Sequence, residues 1–216
     1  MQNIIFVLVG AIQLGIAIYG TMQVRKHFNW YALLVLIVVY GLAYDNFVIG
    51  LGATIGEGDL LKALNTPRFW VHALFTPAMM ISAFGALRMT GSKFAQSKIW
   101  HTIICVLATA LIALGSYIDI LNLDLFFNPD GVVARYSNGF EFMKGPPIPA
   151  VLTILVVIVF GVIMWRNVKW KWLFVGSLLM FIAAPMASMP FFQNVGEIAF
   201  AAGLVTTQIR ANSGSS

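Results

Sequence analysis

Charged residues make up only 10% of this 216-residue sequence, where an ordinary soluble domain carries about 25%. That scarcity excludes a conventional water-soluble globule. There is a single cysteine, Cys105, so no intrachain disulfide can form. It lies within an apolar run and reads as a small packing residue. Histidine is almost as rare, with three in the chain. His27 falls in a loop and His101 at the far end of its helix, which leaves His72 alone among the polar residues considered below. A His-rich zinc site is therefore disfavoured, and neither HExxH nor a serine-nucleophile motif occurs. The net charge of +5 is no nucleic-acid footprint, because the basic residues sit in short connections between apolar runs.

Apolar residues, by contrast, account for 60% of the chain, and the mean hydropathy is +0.87. They fall in blocks of about 20, the length that crosses roughly 30 Å of hydrocarbon. The expected architecture is an all-α integral membrane protein, a bundle of seven transmembrane helices forming one domain over residues 1–210. Spans are expected at 3–22, 30–52, 69–89, 98–119, 148–165, 170–188 and 191–208. The first lacks a basic leader and a small-residue cleavage site, so it reads as a retained span. The last residues, 211–216 ("ANSGSS"), read as a disordered or appended tail. Pro185 and Pro190 predict a kink or break between the last two spans.

Orientation follows from the basic residues. Arg25, Lys26, Arg88, Lys93, Lys98, Arg166, Lys169, Lys171 and Arg210 share one side, and Lys62, Arg68, Arg135 and Lys144 the other. That asymmetry predicts an outer N-terminus and a cytoplasmic C-terminus. Trp30, Trp100, Trp165, Trp170 and Trp172 mark the cytoplasmic interface and Trp70 the outer one, as an aromatic belt. The first hairpin within helices 1–3 and that within helices 5–7 each have a tight basic-aromatic turn, "RKHFNWY" and "RNVKWKW". This is either the mark of a parallel 3+1+3 repeat around helix 4 or a chance similarity between apolar helices. In the long loop between spans 4 and 5, "VVARYSNGFEFMK" reads as a β-hairpin about an Asn138–Gly139 turn. Such a hairpin either lids a cavity or is simply an ordered connection.

Against this oily background several polar residues stand out, because an ionisable group inside a span costs roughly 2.5–3.5 kcal/mol. Asp45 and Asn46 interrupt "VVYGLAYDNFVIGLG", and a rise of 1.5 Å per residue puts Asp45 about 22 Å along span 2 from Trp30. Arg68 and His72 lie one turn apart at the outer end of span 3. Span 4 ends with Tyr117 and Asp119, and span 7 begins with Asn194 and Glu197. Four helices thus deliver carboxylates, a guanidinium and an imidazole to one depth. Phase agrees: Gly41, Asp45, Val48 and Gly52 share a face, as do Arg68, His72 and Thr76, and Asn194, Glu197 and Ala201. Asp45, Glu197 and His72 are the candidate catalytic residues. Tyr44, Asn46, Arg68, Thr76, Tyr117, Asp119 and Asn194 are the candidates for substrate binding. Asp119 and Arg68 also have plain structural readings, as an interfacial residue and as a snorkelling anchor or counter-ion of Asp45.

An acid held in a dry pocket donates a proton to an alkene, epoxide or ester oxygen, and a second carboxylate or a histidine then acts as base. The element "AYDN" at 43–46, following the basic-aromatic turn, together with Glu197, resembles the small seven-span transmembrane terpene cyclases. Those proteins carry one acid in helix 2 after an aromatic residue and another in helix 7. The resemblance implies that Asp45 and Glu197 drive cyclisation of a prenyl chain. The acids are exchanged relative to that pattern, Asp for Glu and Glu for Asp, and Arg68 and His72 have no counterpart in it. The expected ligand is a membrane lipid or isoprenoid, with no nucleic-acid partner, no cofactor and no assigned oligomeric state. Two other classes stay open. One is a metal-dependent hydrolase using a divalent ion among His72, Asp45, Asp119 and Glu197. The other is a seven-helix transporter or receptor relaying protons through the same residues. The last span has no lysine, which disfavours a retinal Schiff base.

Overall fold

The computed structural model describes residues 2–26, 28–128, 133–140, 147–184 and 190–213; His27, Glu141, Lys144 and Pro185 lie outside them. Helices run in the order α1 Gln2–Val24, α2 Trp30–Ile55, α3 Asp59–Phe75, α4 Ala78–Met89, α5 Lys93–Gln96, α6 Lys98–Ser116, α7 Ile148–Val168, α8 Trp172–Ala183 and α9 Pro190–Ser213. A wide π turn, Tyr117–Leu121, prolongs α6. Two short strands, β1 Leu125–Phe127 and β2 Tyr136–Asn138, follow before α7. Four segments are long and apolar enough to cross a membrane: Asn3–Val24, Trp30–Ile55, Lys98–Leu121 and Ile148–Val168. The bent pair α3–α4 makes a fifth if it counts as one crossing. α8 has 12 residues, about 18 Å of helix.

α1, α2 and α7 are apolar all round, which suits a lipid surrounding rather than water. Ile4, Leu8 and Ile12 form an exposed stripe on α1, and Ile99, Ile103 and Val106 one on α6. Trp30, Trp70, Trp100, Trp165 and Trp172 are also exposed. The core is built around α4, whose Met80, Phe84 and Leu87 are fully buried. Phe84 packs against Phe160 of α7 and Phe94 of α5, with ring centroids 5.7 and 5.8 Å apart. His101 packs on the same Phe84 ring and approaches Cys105, so both are packing residues. α8 and α9 meet closely because Gly176 has no side chain; a Cβ there would stand 2.5 Å from the Ala199 carbonyl oxygen.

Three sequence expectations need correction. The expected span 69–89 is two helices meeting at 44°. The break falls at Thr76–Pro77, where proline has no N–H to donate to the preceding turn. The helix also begins at Asp59, ten residues before the expected start. Gly56 and Gly58 take positive φ values of 79° and 152°, which ends α2 and frees the chain to restart. The polar content of "DLLKALNTPR" concealed this helix from a hydropathy reading. The β-hairpin is shifted as well: β2 pairs antiparallel with β1, Phe126 opposite Ser137, and Asn138–Gly139 is not its turn. Asn138 is instead a strand-end anchor. Its Oδ1 accepts from the Asp124 and Phe140 amides, and its Nδ2 donates to Asp119 Oδ1 at 3.0 Å. Finally, α9 continues to Ser213, with Ala211 buried and Asn212 accepting a hydrogen bond from Asn29. Residues 211–213 are therefore helix rather than tail.

The hairpin rests on α2. Val133 is buried with Phe6 and Ile49, Tyr136 with Val48 and Leu61, and the Ala134 carbonyl lies directly over Gly52. A Cβ at position 52 would collide with that carbonyl. Gly52→Ala is expected to lift the hairpin while leaving the helices in place. Hydrogen exchange should speed up at least tenfold in residues 133–138 and stay unchanged in α2 and α9. Unchanged exchange in the hairpin would show that it is not held by this contact.

Candidate functional site

At the hairpin end of the bundle, α1, α2, α3 and α9 each contribute buried polar side chains. Gln13, Asp45, Asn46, Asn65, Arg68, Asn194 and Glu197 are all less than one-tenth exposed. They form two connected groups on opposite sides of α2. Consecutive residues of a helix point about 100° apart, so Asp45 faces α3 whereas Asn46 faces α1 and α9.

On the α3 side, Arg68 Nε donates to Asp45 Oδ1 and Arg68 Nη1 donates to Asn65 Oδ1. His72, one turn further along α3, places Nε2 4.0 Å from Asp45 Oδ2. Its Nδ1 lies 3.4 Å from the Thr76 hydroxyl. Arg68, His72 and Thr76 thus form one line along α3, and Asp45 faces its first two members. Gly41, on Asp45's face, lets Val71 of α3 approach. Tyr44 donates to the Leu64 carbonyl at 2.8 Å, which ties α2 to α3.

On the other side, Glu197 Oε2 accepts from Asn46 Nδ2 at 3.0 Å and from Gln13 Nε2 at 3.3 Å. Asn46 Nδ2 also reaches Gln13 Oε1 at 2.9 Å. Both donors converge on Oε2, and Oε1 makes no hydrogen bond among the described residues. Asn46 Oδ1 and Asn194 Nδ2, both buried, likewise have no hydrogen-bond partner there.

A cavity of about 690 Å³ adjoins this second group. Its polar lining consists of His72, Thr76, Gln193 and Glu197, and its walls include Leu42, Ile154, Met180, Phe181 and Phe200. The volume lies within the ordinary range for a small-molecule site. Of the candidate residues, His72, Thr76 and Glu197 line the cavity, and Asp45 does not. Tyr117 packs edge-on against Phe140, and Asp119 holds the hairpin through Asn138; neither lines the cavity. No group of three among His, Cys, Asp and Glu comes together in the described residues. Of the candidate residues, His72 and Asp45 approach each other, and the Asp45 carboxylate is shared with Arg68.

Sequence reasoning missed three members. Gln13 is fully buried and was visible as an amide in the middle of "GAIQLGIAI". Asn65 sits in the polar stretch mistaken for a loop. Arg135 is placed by the hairpin, and no periodicity pointed to it. Its side chain is exposed and forms no ion pair among the described residues, yet it lies within electrostatic range of Asp45, Glu197 and Arg68. No protein-family model and no curated protein matches the chain.

Proposed function

We propose that this chain is a multi-pass intramembrane enzyme that performs acid–base chemistry on an isoprenoid or lipid held in the cavity beside Glu197. One observation carries this reading: a buried carboxyl group on the wall of an oily cavity, with one oxygen held by two amides and the other without a hydrogen bond among the described residues. Glu197 Oε1 is the atom that exchanges a proton with the substrate. His72, on the same wall, takes up or returns the second proton. Asp45 acts one step removed: engaged by Arg68, it orients His72. Cyclisation of a prenyl chain, as the resemblance to transmembrane terpene cyclases implies, is the specific case in which Glu197 protonates an alkene or epoxide and a base collects the proton released at the end.

In this reading the chain crosses the bilayer seven times, with α3–α4 as one bent crossing and α8 and α9 as the last two. The N-terminus and the hairpin face the non-cytoplasmic side, in keeping with the distribution of Lys and Arg. The parallel 3+1+3 repeat belongs to the same proposal.

The test is conversion of prenyl and acyl alcohols, epoxides and esters by the protein in lipid nanodiscs, followed by mass spectrometry. Wild type is expected to turn over at least one of them. Ala150→Trp, or Val151→Phe if the first does not fold, should abolish turnover by filling the cavity. Turnover that survives both substitutions places the chemistry elsewhere and overturns the reading. Countertransport of a lipid without conversion would make the chain a carrier.

A further inference from the structure

The proposed reading leaves the substrate's head group open, and the charges around the cavity select one. Among the described residues that line it, His72 and Glu197 are the ionisable ones. No lysine or arginine is among those described lining residues. The nearest guanidinium, Arg68, is held by Asp45 and Asn65, and Arg135 belongs to the hairpin and forms no ion pair with Glu197 among the described residues. Behind His72 stands a second carboxylate, that of Asp45.

A buried carboxylate without a cation is costly, and a matched cation lowers that cost when it also hydrogen-bonds. Gln13 and Asn46 donate to Oε2 from behind, two hydrogen bonds that offset part of the cost of ionising the buried group. Oε1 is left to accept from the cavity side. Among the described lining residues a phosphate, diphosphate or carboxylate head would meet Glu197 with His72 as the one group able to carry a positive charge, and His72 already faces Asp45. An ammonium head would donate to Oε1 in a charge-assisted hydrogen bond, with its chain against Leu42, Ile154, Phe181 and Phe200.

We infer that the cavity binds an amphiphile with a protonated amine head, a long-chain or isoprenoid amine whose ammonium pairs with Glu197 Oε1. This rests on the proposed use of the cavity as a lipid site and adds the chemistry of the head.

The experiment is native mass spectrometry of the full chain in detergent with tetradecylamine, tetradecanol and tetradecanoate, which share one tail and differ in the head. Wild type is expected to bind the amine at least tenfold more tightly than the alcohol, and tetradecanoate weakest. Glu197→Gln should remove the preference, bringing the amine to the level of the alcohol on the same variant. The inference is overturned if the alcohol or tetradecanoate matches the amine on wild type, or if Glu197→Gln keeps the tenfold preference. Ala150→Trp and Val151→Phe separate the two levels. Equal binding of all three probes that either variant abolishes defeats the amine head alone. Binding that neither variant disturbs defeats the cavity as a lipid site.

Discussion

Glu197→Gln is expected to lower turnover of the cavity's substrate by about 10²–10⁴-fold, the usual contribution of a positioned acid–base group. The substitution keeps the size of the side chain. Its carbonyl oxygen can take the place of Oε2 and accept from Asn46 and Gln13 as before. What it removes is the exchangeable proton at the atom facing the cavity. Thermal unfolding in detergent should therefore shift little, and the loss should fall on the chemical step. Asp45→Asn provides the contrast: Asp45 does not line the cavity, so its effect should be smaller in turnover and larger in stability. If Glu197→Gln retains full activity, Glu197 is not the proton-exchanging group. If Asp45→Asn is the more damaging of the two in turnover, the assignment of roles is reversed.

The second large effect is on stability. Arg68→Met is expected to destabilise the protein by about 3–5 kcal/mol, because it leaves the Asp45 carboxylate buried without its counter-ion. Arg68 and Asp45 are 8% and 7% exposed, so little solvent is present to screen the orphaned charge. Asn65 Oδ1 loses its donor in the same substitution. The double variant Asp45→Leu/Arg68→Met removes both charges, and should recover most of the loss, since apolar replacement of a whole buried pair is often neutral. Denaturant unfolding of the purified protein measures both. A single variant as stable as wild type, or a double variant no better than the single, would show that the pair does not hold α2 to α3.

These two carboxylates show how far the sequence reaches. Asp45, Arg68, His72 and Glu197 could be brought to one depth by counting residues, since helical rise is constant and a charge inside an apolar run has few places to go. The stripe of Arg68, His72 and Thr76 was legible in the same way, from i, i+4 spacing. Which carboxylate meets the cavity was not. That depends on how each helix is turned about its own axis, and Asp45 and Asn46, adjacent in the chain, go to opposite neighbours.

The hairpin makes the same point from the other direction. Its residues have β character, but Asn138 looked like a turn because Asn–Gly usually is one. Its side chain is instead drawn to Asp119 and to the Asp124 amide, partners that a local reading cannot supply. The register then follows from these contacts and from Ala134 settling over Gly52, and it is this register that brings Arg135 toward the site. By itself the sequence determined that the chain is helical, apolar enough to enter a membrane, and carries a small set of ionisable groups at one end. The pairing of those groups, the bend at Pro77 and the placement of Glu197 rather than Asp45 on the wall of a cavity were decided by the tertiary structure. Each of them depends on helix rotation and on contacts between residues far apart in the chain, where hydropathy and periodicity carry no information.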